Sequence, residues 1–397
     1  MAEPRFVQSV PPSTGLPVPP PLPPDPFPPA GGEPGDAAIG SFGPMPDRLT
    51  DIVRIAHDRG YSDVHLGVGE EPRYRSRGDI LRTGWPVTEP ARFQEWLREM
   101  LEPAVIDAFL REKEYDGSHS FGFVRVRINL LDTVRGPGLV LRLVPIRVPT
   151  MEELGLPEVL RTLAHRPKGM VLFTGPTGSG KTTTLAALLE YVNSTMRRHI
   201  ITIEDPVEFV HDSRLCLIRQ REVGHNTTEF HRALRSSLRE DPDLILIGEI
   251  RDQETLTTAI EASQTGHLVL GTLHTNSAVR SVERVLGLYP PQEQESIRRA
   301  VAEALLAVIS LGLVKTVDGE RTGFYEIFIN TDACRDYIQR GDIYEIESIM
   351  QRSGFDGMQT FNQSLAALVQ QGRITGEEAI SHSLRPAELA QTLRGRV

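Results

Sequence analysis

The order of residues between 170 and 183 limits what this chain can fold into more than any other feature. Met170-Val-Leu-Phe-Thr174 is a short apolar run, and it passes without a break into Gly175-Pro176-Thr177-Gly178-Ser179-Gly180-Lys181-Thr182-Thr183. Beyond the loop, Leu185, Leu188, Leu189 and Val192 recur along one face of a helix. A buried strand that turns through glycine into a helix leaves the first helical N–H groups without intrahelical partners, pointing at whatever lies ahead. Gly175, Gly178 and Gly180 let the backbone curl without Cβ clashes. The pattern predicts a cradle for the phosphates of a nucleotide. Lys181 is expected to pair with the β- and γ-phosphates, and the Thr182 hydroxyl to hold Mg²⁺, so the cofactors expected are ATP and Mg²⁺.

The segments around the loop set the fold class. Ile200-Ile-Thr-Ile203, Leu244-Ile-Leu-Ile247 and Leu268-Val-Leu270 are further short apolar strands that alternate with helical patterns. That alternation predicts an α/β core, with a mostly parallel sheet covered on both faces, over residues 149–385. Past Pro290 the chain reads as helical, apart from a hairpin-like stretch from Val314 to Ile329. Residues 386–397 read as a C-terminal tail. Residues 47–148 read as a separate α+β domain. Leu49, Ile52, Val53, Ile55 and Ala56 give helical spacing, and Val64, Leu66 and Val68 alternate like a strand. Helices are expected over Phe93–Leu101 and Val105–Leu110, and strands over Phe123–Asn129 and Leu139–Val144 with a Gly136-Pro137-Gly138 turn between them. Residues 1–46 hold fifteen of the thirty prolines and almost nothing that could build a core. They read as a disordered, partly polyproline-II tail, with docking to an aromatic groove as the alternative.

Composition excludes several classes. A net charge of −10 argues against a mainly electrostatic nucleic-acid binder. No stretch reaches the ~18 consecutive apolar residues of a membrane span, and no basic-then-apolar signal opens the chain. Cys216 and Cys334 are too few for a disulfide framework or a four-thiolate zinc site, which suits a reducing cytoplasm.

Three further groups carry candidate chemistry. Asp243-Leu-Ile-Leu-Ile-Gly-Glu249 is an apolar strand that ends in an acid, which puts a carboxylate beside the phosphates. Glu249 is therefore the expected general base or water-orienting group, ahead of Asp252. Ile203-Glu204-Asp205-Pro206-Val207-Glu208 crowds three acids at another strand end. Glu204 and Glu208 are second-rank catalytic candidates, and a solvated acidic turn is the alternative. His267 and His274 flank one short strand, and both are expected near the nucleotide's end of the sheet. His274 is well placed as a γ-phosphate sensor, and each can equally be a structural histidine. Arg219, Arg221, Arg232, Arg235 and Arg239 crowd the stretch before Glu249, and Arg251 follows it. Arg239, Arg251 and Arg235 are the candidate arginine fingers; a solvated face accounts for them equally well.

Taken in order, Gly175–Thr184, Ile203–Glu208, Leu238–Asp252 and Thr265–Thr275 resemble the secretion ATPase superfamily, and within it the type IV pilus retraction ATPases. Ser62-Asp-Val-His-Leu66 and Gly357-Met-Gln-Thr360 support that branch. The resemblance covers about residues 48–385. It implies a RecA-like P-loop ATPase core with an N-terminal PAS-like α+β domain and C-terminal helices, assembled as a homohexamer. By motif position it makes Lys181 and Thr182 the Walker A residues and Glu249 the Walker B glutamate. Glu204, Asp205 and Glu208 become the Asp box, and His267 and His274 the His box. It further implies domain motions coupled to hydrolysis and pilus machinery as partner, including an inner-membrane platform protein. The location implied is cytoplasmic, peripheral at the inner face of the cytoplasmic membrane, with no membrane span and no nucleic acid bound. Ala333-Cys-Arg-Asp-Tyr-Ile338 only partly matches the family's retraction-linked Ala-Ile-Arg-Asn-Leu-Ile, and Ser310-Leu311-Gly312 lacks the glutamine expected after serine. The four-cysteine metal site of assembly and type II secretion ATPases is missing. A pilus-assembly or secretion ATPase, a RecA-like translocase and a weakly hydrolysing regulatory module are the alternatives.

Overall fold

The computed structural model describes residues 42–76, 79–144 and 147–395. The chain divides into two compact units, 1–146 and 147–397. Most of the proline-rich tail, residues 1–41, lies outside the described residues.

In the first unit come α1 (Leu49–Asp58), β1 (Asp63–Gly67), β2 (Arg73–Ser76), β3 (Asp79–Arg82), α2 (Pro90–Met100), α3 (Pro103–Glu112), β4 (Glu114–Ser120), β5 (Arg125–Thr133) and β6 (Gly136–Val144). The six strands form an antiparallel sheet in the order β3-β2-β1-β6-β5-β4. Val126, Ile128 and Leu130 alternate inward along β5 and meet Phe93, Trp96 and Leu97 of α2 in one buried core. The Gly136-Pro137-Gly138 turn expected from sequence is instead the start of β6. Thr133 pairs with Gly136, so the turn falls on Val134 and Arg135, and Val134 is almost fully exposed. A Cβ on Gly136 would stand 3.1 Å from Val68, a close approach that explains the glycine better than a turn does. Strand β4 has no apolar alternation to announce it; it is a half-exposed edge strand.

The second unit contains α4 (Val159–Ala164), β7 (Gly169–Thr174), α5 (Lys181–Thr195), β8 (His199–Glu204), β9 (Leu217–Glu222), α6 (Phe230–Ser237), β10 (Leu244–Ile247), α7 (Gln253–Gln264), β11 (Leu268–Leu273), α8 (Ala278–Leu286) and α9 (Gln294–Ala304). There follow β12 (Leu305–Lys315), β13 (Arg321–Ile329), α10 (Asp332–Arg340), α11 (Glu345–Arg352), α12 (Phe361–Gln370), α13 (Gly376–His382) and α14 (Pro386–Arg394). The seven strands run in the order β13-β12-β7-β11-β10-β8-β9, all parallel except the edge strand β13. Alternate residues of the central strands feed two cores. Ile245 and Ile247 pack with α7 and α8 on one face, and Leu244 and Leu246 pack with α5 on the other. Burying both faces is why these strands read as unbroken apolar runs.

That same property hid β12. Leu305-Leu-Ala-Val-Ile-Ser-Leu311 is an apolar run that periodicity cannot separate from a buried helix, so the stretch past Pro290 read as helical up to residue 314. In the structure it is a strand directly beside β7. The expected tail from 386 is also corrected. It forms α14, and Leu389 is fully buried against α12 and the β12–β13 hairpin in a small separate core.

Candidate nucleotide site

All six residues of β7 are buried, and the strand delivers the chain to the glycine loop at its carboxyl end. There the Thr174 hydroxyl meets the Ser310 hydroxyl of β12 at 2.8 Å, tying the mouth of the loop to the neighbouring strand. Gly175 has φ +146°, and a Cβ on it would lie 2.5 Å from the Leu311 carbonyl oxygen and 2.6 Å from Ser179 Oγ. No side chain fits. Gly178 and Gly180 also take positive φ, and Gly180 caps the start of α5 from the position before Lys181.

The loop has unspent donors. Thr184 N–H finds the Gly180 carbonyl at 2.9 Å, while the amides of Gly178, Gly180, Lys181, Thr182 and Thr183 donate to no backbone carbonyl among the described residues. Ser179 Oγ is buried with no hydrogen-bond partner among the described residues. Lys181 Nζ donates to the carbonyls of Gly175 (2.7 Å) and Pro176 (3.0 Å), folded back over its own loop. Burial pulls the lysine's pKa down, and Glu249 and Glu208 oppose that pull. A ring of unpaired amides with a half-buried ammonium at its centre fits a phosphate chain.

Glu249 follows β10, two strands from β7. Its position is fixed by Gly248, whose N–H donates to Ile203 O at 2.7 Å, and whose carbonyl accepts the Thr272 hydroxyl. A Cβ on Gly248 would press on Ile203 O and Glu204 Cα at 3.0 and 3.1 Å. Both carboxylate oxygens of Glu249 are engaged, Oε2 by Arg251 Nη2 at 2.6 Å and Oε1 by His274 Nε2 at 3.2 Å. The Arg251 hydrogen bond, aided by the charges of Arg251 and His274, holds the Glu249 carboxyl below the ordinary glutamate range against the opposing effect of desolvation. Lys181, Glu249, Glu208 and His274 thus share one electrostatic neighbourhood.

The other candidates are distributed differently. Glu204 ends β8 but is buried, and it accepts hydrogen bonds from Thr202 Oγ1 (2.6 Å) and Gln220 Nε2 (3.2 Å); burial pushes its pKa up. His267 is not near His274, contrary to expectation. It precedes β11 where His274 follows it, so ~20 Å of strand separates them. His267 Nδ1 lies 2.9 Å from Ala262 O, a structural contact at the amino ends of the strands. Arg235 pairs with Glu254 at 3.0 Å, Arg221 with Glu240 at 3.4 Å and Arg232 with Glu229 at 3.1 Å. Arg239 is exposed, and its side chain makes no hydrogen bond or ion pair among the described residues. The sequence marks Ser310 only for the residue that follows it, and gives no sign of the contacts that Ser310 and Thr272 make. Each is a lone hydroxyl in an apolar run, and only strand order shows that they tie the site's loops together.

Among the described residues no three His, Cys, Asp or Glu side chains gather to hold a metal, and no helix is long and apolar enough to cross a membrane. A divalent ion here would depend mainly on phosphate oxygens and a hydroxyl, a common arrangement for Mg²⁺.

A glycine loop at the carboxyl end of a buried parallel strand, with a glutamate beyond the end of another strand of the same sheet, defines the core of a P-loop ATPase. Residues 120–390 match the family model described as Type II/IV secretion system protein, and the chain belongs to that family of ATPases. It is 44% identical over 332 residues to the type IV pilus retraction ATPase PilT of Pseudomonas aeruginosa, covering 83% of this chain and 96% of that protein. It is also 44% identical over 310 residues to a twitching motility protein of Neisseria gonorrhoeae, covering 78% and 83% of the two. The crystal structure of the pilus retraction motor PilT with bound ADP matches with a TM-score of 0.81 at 38% identity, over 87% of this chain and 99% of that one. The Legionella pneumophila ATPase DotB matches with a TM-score of 0.71 at 26% identity, over 84% and 96%.

Proposed function

We propose that the chain is the subunit of a homohexameric motor that hydrolyses ATP at this site and drives type IV pilus retraction. The observation that carries the reading is the meeting of Lys181 and the unpaired loop amides with Glu249 and His274 at one end of one sheet. Similarity along 96% of a pilus retraction ATPase supplies the direction of the output. In this reading the loop amides and Lys181 hold the β- and γ-phosphates and take up charge as it develops on the transferred group. Glu249 orients a water, whose oxygen bonds to the γ-phosphorus as that atom's bond to the bridging oxygen of ADP breaks. Glu249 accepts the water's proton, and His274 holds the carboxylate in place. Thr182 is the residue that would hold Mg²⁺, which when bound offsets phosphate charge. Glu208 supports the charge balance around Lys181, and buried Glu204 fixes the end of β8. Of the three candidate fingers, Arg239 is the one with no side-chain partner among the described residues, and it is free to reach a neighbouring subunit.

The force acts on an inner-membrane platform protein of the pilus machinery, from the cytoplasmic face. The partly matching Ala333–Ile338 motif lies in α10, where Cys334 and Ile338 are both fully buried, so the segment keeps a packed helix despite its changed residues. Deleting the gene tests the direction of force. Retraction predicts hyperpiliated, non-motile cells; bald cells would mean assembly instead.

A further inference from the structure

The contact that engages Glu249 also withholds it. A carboxylate oxygen that carries a short charged hydrogen bond is a poorer proton acceptor, and Glu249 has Oε1 on His274 and Oε2 on Arg251, the latter at only 2.6 Å. The His274 contact still allows the glutamate to be aimed; the Arg251 contact occupies the second oxygen. Arg251 is poised to leave, because its side chain is 64% exposed and Glu249 is its only hydrogen-bonded side-chain partner among the described residues. The fold supplies an alternative partner. Strands β8 and β10 are hydrogen-bonded neighbours with Ile203 level with Ile247, so Asp205 and Glu249 each stand two residues beyond a paired position. Asp205 is exposed, and it is the second carboxylate whose charge acts on Arg251. The groups facing Glu249 are Arg251, His274 and Lys181, and those facing Arg251 are Glu249 and Asp205.

We propose that Arg251 is a positioning residue that restrains Glu249 in the resting site and releases it by transferring to Asp205. This rests on the reading of Glu249 as the base. Arg251 makes and breaks no covalent bond. Its departure leaves Oε2 free to take the proton of the attacking water.

Steady-state hydrolysis by the full chain, measured across pH, tests the transfer. Arg251→Gln should raise kcat by about two- to fivefold, the worth of an exposed ion pair, with little change in KM for ATP. The acid limb of its kcat profile should move upward, because the guanidinium no longer holds the carboxyl down, and Arg251→Lys should partly restore it. Asp205→Asn should slow turnover by a similar factor by stranding Arg251 on Glu249, and adding Arg251→Gln should recover that loss. The proposal is overturned if the double variant is no faster than Asp205→Asn, or if Arg251→Gln falls to the level of Glu249→Gln, as an arginine acting on phosphate would. Normal turnover by Glu249→Gln would instead remove the base itself, a failure of the earlier reading. Should Asp205→Asn not fold, the upward pH shift and its partial return in Arg251→Lys decide the matter alone.

Discussion

At the amino ends of the parallel strands, His199 Nδ1 rests 3.0 Å from Asp241 O, the His199 backbone N–H donates to Asp243 Oδ2 at 2.8 Å, and His267 Nδ1 rests on Ala262 O. Each contact fastens one turn to the next. At the carboxyl ends of the same strands stand Glu249, His274, Arg251 and Lys181, whose partners are one another or their own loop. Histidines and acids occur at both ends. They differ in what the backbone leaves undone: the glycine loop at the carboxyl end keeps several amides unpaired, and charge collects where those donors point. Residue type therefore says less than which end of a strand the residue follows.

The comparison can be broken at several points. Glu249→Gln should lower turnover by about 10²–10³-fold while ATP affinity stays within about threefold, because the lost proton acceptor acts on water rather than on phosphate. Lys181→Ala should weaken ATP binding by about 100-fold, the cost of removing a phosphate's charged partner, as read by calorimetric titration. The histidines give the sharpest contrast. His274→Ala should cut kcat by about tenfold, whereas His267→Ala should change it by less than about twofold and show its effect in Tm. Equal losses of turnover would erase the distinction between the two ends.

Titration separates the carboxylates further. The Glu249 pKa is depressed, so its stabilising share is present above the ordinary glutamate pKa and is lost as pH falls through the depressed value. Turnover should therefore hold through mild acid. Glu326 of β13 behaves oppositely. It is buried, accepts Ala278 N–H at 2.7 Å, and is pushed up to about 7 chiefly by desolvation. Its stabilising share is present below the ordinary glutamate pKa and lost as pH rises through about 7. Glu326→Gln keeps an acceptor for Ala278, so it should raise stability above that pH by about 1–2 kcal/mol and do little in mild acid, as measured by thermal unfolding.

Much of this was legible in the sequence because the signals were local. The strand-loop-helix around Gly175–Lys181 needs no long-range contact to be read, and β8 and β10 declare themselves as apolar runs that end in acids. What escaped was set by neighbours in space. β12 reads as an apolar stretch until its pairing with β7 is known, so the contact of Ser310 with Thr174 was invisible. His267 and His274 look equivalent across β11 until the direction of the strand is compared with the glycine loop. Glu204 and Glu208 look like one acidic cluster, yet Thr202 and Gln220 draw the first into a buried contact while the second stays exposed. Arg251 reads as a candidate for reaching another subunit, and nothing in the sequence signals its contact with Glu249 in its own chain.

Hydrogen exchange on the Glu249→Gln protein, with and without intact ATP, tests most directly that the carboxyl end of the sheet is the nucleotide site. The amides of Gly178 and Gly180–Thr183 donate to no backbone carbonyl among the described residues, so they should exchange fast alone and slow sharply with ATP, while the turn at Gly266–His267 stays unchanged. Protection at His267 without protection of the loop would contradict the account.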